Sequence, residues 1–410
     1  MTRRNMVVLL LLIMPLLSGC WSRMEVNDLA FVTAAGIDKM ENGKIRLALQ
    51  MAIPRILGPA GQGGSGSSQG IATKAVWVVS EKGENIMDTY RKLQEKLPRK
   101  ISFSHNRIIV IGGKLAQKGV SPVLDFFTRE RESRLRSNIV FTKGEALNIL
   151  KFNPKFEKVP SEVMREEQKA QTGLNINLRD FVGMLAAEKV GPVAAEMEIV
   201  PSNVKRGGES PEMQSAEKEE TNLKALGSAV FKHDRLIGWM DDKETRGLLL
   251  LLDQVKSSVV TVNIPKDKGG GKVSVQVLNS KTKITPILKN GELNLQVKVK
   301  AEDDLYENSS KIDISDPKLV QYIEKKLEDD IMQRIQLTVE KGQKKFKSDI
   351  FGFGTAVYRR YPKEWENRLK ERWDDEFPKL KVTVTANVSV LRTGLTNQSL
   401  IWEETEIKTK

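Results

Sequence analysis

Apolar residues recur along this chain with two periods, and each period marks a kind of element. Ile45, Leu47, Leu49 and Met51 alternate with Lys44, Arg46, Ala48 and Gln50, which predicts a strand over residues 44–53 with one half-buried face. A matching run at 29–37 precedes it. Met40-Glu41-Asn42-Gly43 lies between the two and reads as a turn, so the pair is expected to form a hairpin. Strands are also predicted at 73–80, 101–111 and 137–142. A helix is predicted at 84–97, where Ile86, Tyr90, Leu93 and Leu97 share a side and Pro98 ends the run. Others are expected at 119–127, 144–150, 161–170 and 178–188. Ser161 is placed to cap the third of these, because its side-chain oxygen can accept from a free first-turn N–H.

The second half repeats both patterns. Residues 225–231 and 235–239 read as short strands around His233-Asp234. Gly247-Leu248-Leu249-Leu250-Leu251-Leu252, bracketed by Arg246 and Asp253, reads as a buried helix turn. Further strands are predicted at 259–264, 273–278 and 284–288. Asn290-Gly291 is a hairpin signal, because both residues tolerate positive φ, and Leu293, Leu295, Val297 and Val299 alternate on the return strand. Asp316 can cap a long helix with Pro317 in its first turn and a stripe at Leu319, Ile323, Leu327, Ile331 and Ile335. If it runs to Phe346 it is about 45 Å long at 1.5 Å per residue. A second helix at 363–376 carries Trp365, Leu369 and Trp373 on one face, and 382–390 is the last strand.

This order gives a multidomain α+β chain: a mixed α/β first block, then a C-terminal antiparallel sheet packed with long helices. Two stretches interrupt it. The glycine-serine run at 58–70 lacks a following Gly-Lys-Ser/Thr, so it is expected to be a solvent loop and not a phosphate cradle. Residues 203–222 are polar and read as a linker. The expected division is a region of one or two domains at 20–200, a linker at 201–224 and a C-terminal domain at 225–401.

The extreme N-terminus has a different pattern. Arg3 and Arg4 precede a mostly apolar run at 6–17, closed by Leu17-Ser18-Gly19-Cys20. The run is shorter than the roughly 20 residues a spanning helix needs, but it suits a secretory h-region. The order resembles a bacterial lipoprotein signal. That resemblance implies cleavage of residues 1–19 and attachment of lipid to Cys20.

Composition narrows the rest. With 40% apolar residues the body is expected to fold. Cys20 is the only cysteine, so a lipidated chain has no disulfide, cysteine nucleophile or thiolate metal site. The net charge is +13, falling by two if Arg3 and Arg4 leave with the signal. Acids and bases are interleaved, as in Arg129-Glu130-Arg131-Glu132, which suits a solvated surface or the neighbourhood of anionic lipid. An aromatic content of 6% offers no stacking platform, so nucleic acid is not an expected partner.

Candidate catalytic groups are sparse. His105 and His233 are the two histidines, and each is expected to be structural or exposed. Nothing has metal-ligand spacing, and no Gly-x-Ser-x-Gly elbow is present. The paired carboxylates Asp241-Asp242, Asp303-Asp304, Asp329-Asp330 and Asp374-Asp375 leave a glycosidase arrangement open. On a helix, however, neighbours point about 100° apart and do not converge. Trp365 and Trp373 could stack a ligand, but their spacing fits a core face. No catalytic residue, metal or cofactor is expected.

Four stretches in order resemble the Ger(x)C spore germination lipoproteins. They are Cys20-Trp21-Ser22-Arg23-Met24-Glu25-Val26-Asn27-Asp28-Leu29-Ala30 with Gly36-Ile37-Asp38; Ser104-His105-Asn106-Arg107-Ile108-Ile109-Val110-Ile111-Gly112; Gly227-Ser228-Ala229-Val230-Phe231-Lys232 with Gly238-Trp239; and Ser348-Asp349-Ile350-Phe351-Gly352-Phe353-Gly354 through Tyr361-Pro362 and Trp365. The resemblance implies three mixed α/β domains and a non-enzymatic C subunit of a nutrient germinant receptor. It implies a lipid anchor through Cys20 on the outer face of the spore inner membrane, and two multi-pass partners, the A and B subunits. Nutrient sensing falls to those partners, so no direct small-molecule ligand is expected here. The 348–354 turn is expected to be architectural, with Gly352 and Gly354 allowing tight packing. Two readings compete: a lipid-anchored solute-binding protein, which needs a lined cleft, and a wall hydrolase using two carboxylates.

Overall fold

The computed structural model describes residues 25–53, 76–154, 159–169, 173–187, 190–201, 221–255 and 258–392. The signal region with Cys20, the glycine-serine run at 58–70 and most of the polar stretch at 203–222 lie outside them.

The described strands form two sheets. The first contains β1 (Leu29–Lys39), β2 (Ile45–Ala52), β3 (Val76–Gly83), β4 (Lys100–Ser102), β5 (Ile108–Gly112), β6 (Asn138–Thr142), β7 (Val193–Pro201), β8 (Thr221–Lys232) and β9 (Arg235–Met240). Their spatial order is β3-β2-β1-β5-β6-β7-β8-β9, with β4 beside β1. The centre, β1-β5-β6-β7, is parallel, and antiparallel strands extend it on both sides. Parallel strands are covered on both faces and read as continuous apolar runs. Ile108, Ile109, Val110 and Ile111 are accordingly all buried. Helices α1 (Ile86–Lys96), α2 (Gly113–Lys118), α3 (Ser121–Arg129), α4 (Ala146–Lys151), α5 (Pro160–Lys169) and α6 (Leu178–Ala186) supply the connections. Asn85 caps α1 by accepting from Asp88 N at 2.9 Å.

Four expectations change here. β2 is buried on both faces, because it lies between β1 and β3 with α4 above it. Its buried polar residues are matched: Gln50 donates to Leu150 O at 3.0 Å, and Arg46 meets Glu145 at 2.8 Å. The run at 101–111 is two strands broken by a turn at Ser104-His105. The helix expected to start at Ser161 starts at Pro160, and the buried Ser161 hydroxyl has no hydrogen-bond partner among the described residues. Residues 221–224, expected to end a linker, begin β8, which pairs with β7. The strands flanking the polar stretch therefore lie side by side in one sheet.

The second sheet contains β10 (Val259–Asn263), β11 (Lys272–Lys289), β12 (Glu292–Asn308) and β13 (Lys381–Arg392) in that order. The runs at 273–278 and 284–288 are parts of one strand, β11. Asn290 and Gly291 turn the β11–β12 hairpin with φ of 51° and 79°. The sheet is not wholly antiparallel: β13 returns beside β12 in parallel, after the helices that separate them in the chain. Between the sheets run α7 (Asp242–Leu251) and α8 (Pro317–Glu340). Asp241 caps α7 in a capping box with Glu244, and Asp316 caps α8 by accepting from Lys318 N at 2.9 Å. α8 continues as a wider π-helical turn, Lys341–Phe346. The two helices touch closely: a methyl on Gly247 would fall 2.1 Å from Thr338 Oγ1. After α9 (Phe353–Arg360), the helix expected at 363–376 is broken into Pro362–Glu364, a π turn at Trp365–Leu369 and Trp373–Glu376.

Candidate functional site

Two places near the boundary between the sheets concentrate buried polar groups. One is the 348–354 turn that joins α8 to α9. Ser348 Oγ donates to Phe231 O of β8 at 2.8 Å, and Gly191 N donates to Asp349 O at 2.7 Å. Asp349 Oδ1 accepts from Phe351 N at 3.2 Å and Phe353 N at 3.1 Å. Its Oδ2 accepts from Gly354 N at 2.6 Å and Trp373 Nε1 at 3.2 Å. Burial pushes the Asp349 carboxyl up to about 6, against these four donors, which favour its charged form.

The neighbours leave no room. A methyl on Gly191 would fall 2.1 Å from Ser348 Oγ, and one on Gly238 would fall 2.6 Å from the Phe346 ring. Gly352 is needed for another reason than the expected close packing: its φ is +77°, with nothing nearer than Val190 at 4.0 Å. Trp365 and Trp373 are buried with ring centroids 5.1 Å apart, so they build core and do not present a stacking surface.

The second place is a cavity of about 460 Å³ between β8, α7, the second sheet and α8. Leu249, Leu250, Val277, Ala301, Leu327 and Ile331 supply apolar walls. Two polar side chains in the wall, Asp303 and Ser280, are 1% and 8% exposed. Strand pairing explains both. On β12, the inward face runs Leu295, Val297, Val299, Ala301 and then Asp303. On β11, a register shift between Val277 and Asn279 changes the phase, leaving Leu278 exposed and turning Ser280 inward. Asp303 Oδ1 and Ser280 Oγ have no hydrogen-bond partner among the described residues. Burial, helped by the adjacent Asp304 charge, pushes the Asp303 carboxyl up to about 7.

The sequence candidates sort as follows. His105 is exposed in a turn, edge-on to Phe31 at 4.7 Å, and His233 is an exposed turn residue with φ of 53°. The structure brings one member of three Asp pairs, Asp242, Asp303 and Asp330, to the cavity wall. Two of them are already neutralised one helical turn away, Asp242 by Arg246 at 3.1 Å and Asp330 by Arg334 at 2.5 Å. Asp374 pairs with Lys232 at 2.7 Å. Cys20 lies outside the described residues. Asp349 was visible only as part of a shared stretch. Asp303 could have been found by extending the β12 alternation by four residues. Ser280 had no such signal, since the bulge that turns it inward is not written in the pattern.

No group of His, Cys, Asp and Glu among the described residues could hold a metal, and no described helix is long and apolar enough to cross a membrane. Fold and geometry define the class as an α+β protein of two sheets, with a tight joint between them and a lined cavity beside it. A model described as Spore germination protein N-terminal domain matches residues 22–199, and one described as Spore germination B3/GerAC like, C-terminal, matches 226–394. Spore germination protein KC of Bacillus subtilis (strain 168) is 34% identical over 404 residues, covering 96% of this chain and 97% of that protein. Putative spore germination protein YfkR of the same organism is 33% identical, covering 95% and 96%. The crystal structure of the GerBC protein aligns with a TM-score of 0.52 at 18% identity, covering 87% of this chain and 96% of that one. The chain belongs to the Spore germination B3/GerAC-like family.

Proposed function

We propose that this chain is a non-enzymatic C subunit of a spore nutrient germinant receptor, tethered by lipid on Cys20 to the outer face of the spore inner membrane. It acts through contacts with two multi-pass membrane subunits. The observation that carries this reading is similarity over nearly the full length to a protein named for spore germination. Two acyl chains anchor stably at about 0.8 kcal/mol per buried methylene, where one does so only marginally. The tether confines the body to a layer at the membrane and raises its effective concentration for partners there.

The test compares wild type with Cys20→Ala in spores. Wild type should pull down two multi-pass membrane proteins from spore membranes, and Cys20→Ala should lower both the recovery and the response to nutrient. Membrane-bound protein recovered alone would overturn the subunit reading. Normal germination of Cys20→Ala spores would overturn the need for a tether.

A further inference from the structure

We propose that the cavity between α7, α8 and the second sheet binds a small organic cation: a primary ammonium on an apolar body, seated against Asp303 and Ser280. A volume of about 460 Å³ suits a small ligand. An apolar cavity of about 150 Å³ already admits benzene, and ligand pockets start at about 300 Å³. The walls are mainly aliphatic, which fits an apolar body.

The polar end is set by what is unpaired. Four carboxylates are buried among the described residues: Asp38, Glu196, Asp303 and Asp349. Asp38 accepts from Ala146 N and Leu147 N at the start of α4, Glu196 meets Lys143 at 2.5 Å, and Asp349 has its four donors. Asp303 has neither a donor nor a cation among the described residues. A buried carboxylate without a partner is costly to the fold. Asp242 and Asp330 at the same wall show the alternative, each held by its own arginine. The partner that Asp303 lacks among the described residues is a positive donor, and Ser280 Oγ supplies an acceptor for a second N–H. A neutral alcohol would give Asp303 one hydrogen bond and no charge. A free amino acid would bring its own carboxylate to a wall whose arginines are already paired, where Lys224, exposed on β8, is the other cation.

This inference does not need the receptor reading, because binding is measured on the purified chain. The full-length protein in detergent is titrated calorimetrically with tryptamine and phenethylamine, and with tryptophol and L-tryptophan as neutral and zwitterionic counterparts. One amine should saturate a single site, at least ten-fold tighter than its alcohol or amino acid. Asp303→Asn should weaken that binding at least ten-fold while leaving the ligand-free protein as stable as wild type or more so. Ser280→Ala, which loses no internal hydrogen bond, should weaken it several-fold. If neither amine saturates a site, or Asp303→Asn binds as wild type does, the site is overturned. If tryptophol or L-tryptophan binds as tightly as tryptamine, the assignment to a cation is overturned.

Discussion

Asp349 and Asp303 sit at similar depth in two neighbouring regions, and their surroundings differ completely. Asp349, 5% exposed, receives three backbone N–H groups and an indole N–H. Asp303, 1% exposed, receives none among the described residues. Burial raises both carboxyls, Asp349 to about 6 and Asp303 to about 7. At Asp349 four hydrogen bonds to the charged form oppose desolvation, whereas at Asp303 the adjacent Asp304 charge adds to it. A satisfied buried carboxylate fixes a unique geometry, whereas an unsatisfied one costs stability and leaves a place for something else to bind. The first region is built as a joint. The second is built as a container.

The largest break in that comparison comes at the joint. Asp349→Ala leaves four buried donors facing nothing, and the expected loss is about 4 kcal/mol, in the range for breaking a buried charged network. Thermal melting of the full chain in detergent would show it as a lower midpoint or an earlier separate transition. Asp349→Asn keeps one acceptor oxygen and should lose about half as much. An Asp349→Ala protein that melts with wild type would mean that the turn is not what joins the sheets.

A second, smaller break tests closeness where the first tests hydrogen bonding. Gly191→Ala places a methyl 2.1 Å from Ser348 Oγ, and overpacking of this kind costs about 1–3 kcal/mol. Removing the hydroxyl should recover part of the loss. The double variant Gly191→Ala/Ser348→Ala is expected to be more stable than the sum of the two single losses implies, because the sites share one contact. Strict additivity in the same melting assay would sink the claim that Ser348 Oγ is the obstacle.

The two regions were unequally legible in the sequence. Period-two and helical patterns located most of the strands and helices, since they depend only on which face is apolar. Local capping was legible too: Asp316 and the Asn290-Gly291 turn behave as their chemistry requires. What failed depended on partners far away in the chain. β2 looked half-exposed because nothing local shows that α4 covers its second face. The direction of β13 relative to β12 is set by the helices between them, not by its own alternation. The joint was visible as a shared stretch, but Asp349 had no marked role until Trp373 and the 351–354 backbone closed around it. At the cavity, Asp303 reads with Asp304 as one of several acidic pairs, although the apolar alternation of β12 points it inward.

The smallest predicted effect sharpens the comparison through pH. For a carboxyl raised above its unfolded value, the folded state holds the proton more strongly. Its contribution to stability is present below the unfolded value near 4 and is lost as pH rises through the folded one. Asp349 should therefore give up its share by about pH 6, and Asp303 and Glu196 theirs by about pH 7. The ligand-free protein is expected to melt at progressively lower temperature as pH is raised from 5 to about 7. Asp303→Asn should flatten the upper part of that slope, removing about 1–2 kcal/mol of the pH-dependent loss once solvent screening is allowed for. The losses that run from near pH 4 and end near pH 6, from Asp349, and near pH 7, from Glu196, should remain. A bound amine should also flatten the upper part in wild type, because it holds Asp303 in its charged form, and should do nothing further in Asp303→Asn. If the slope above pH 6 is the same in both proteins, Asp303 is not charged at the expense of the fold, and the contrast with Asp349 fails.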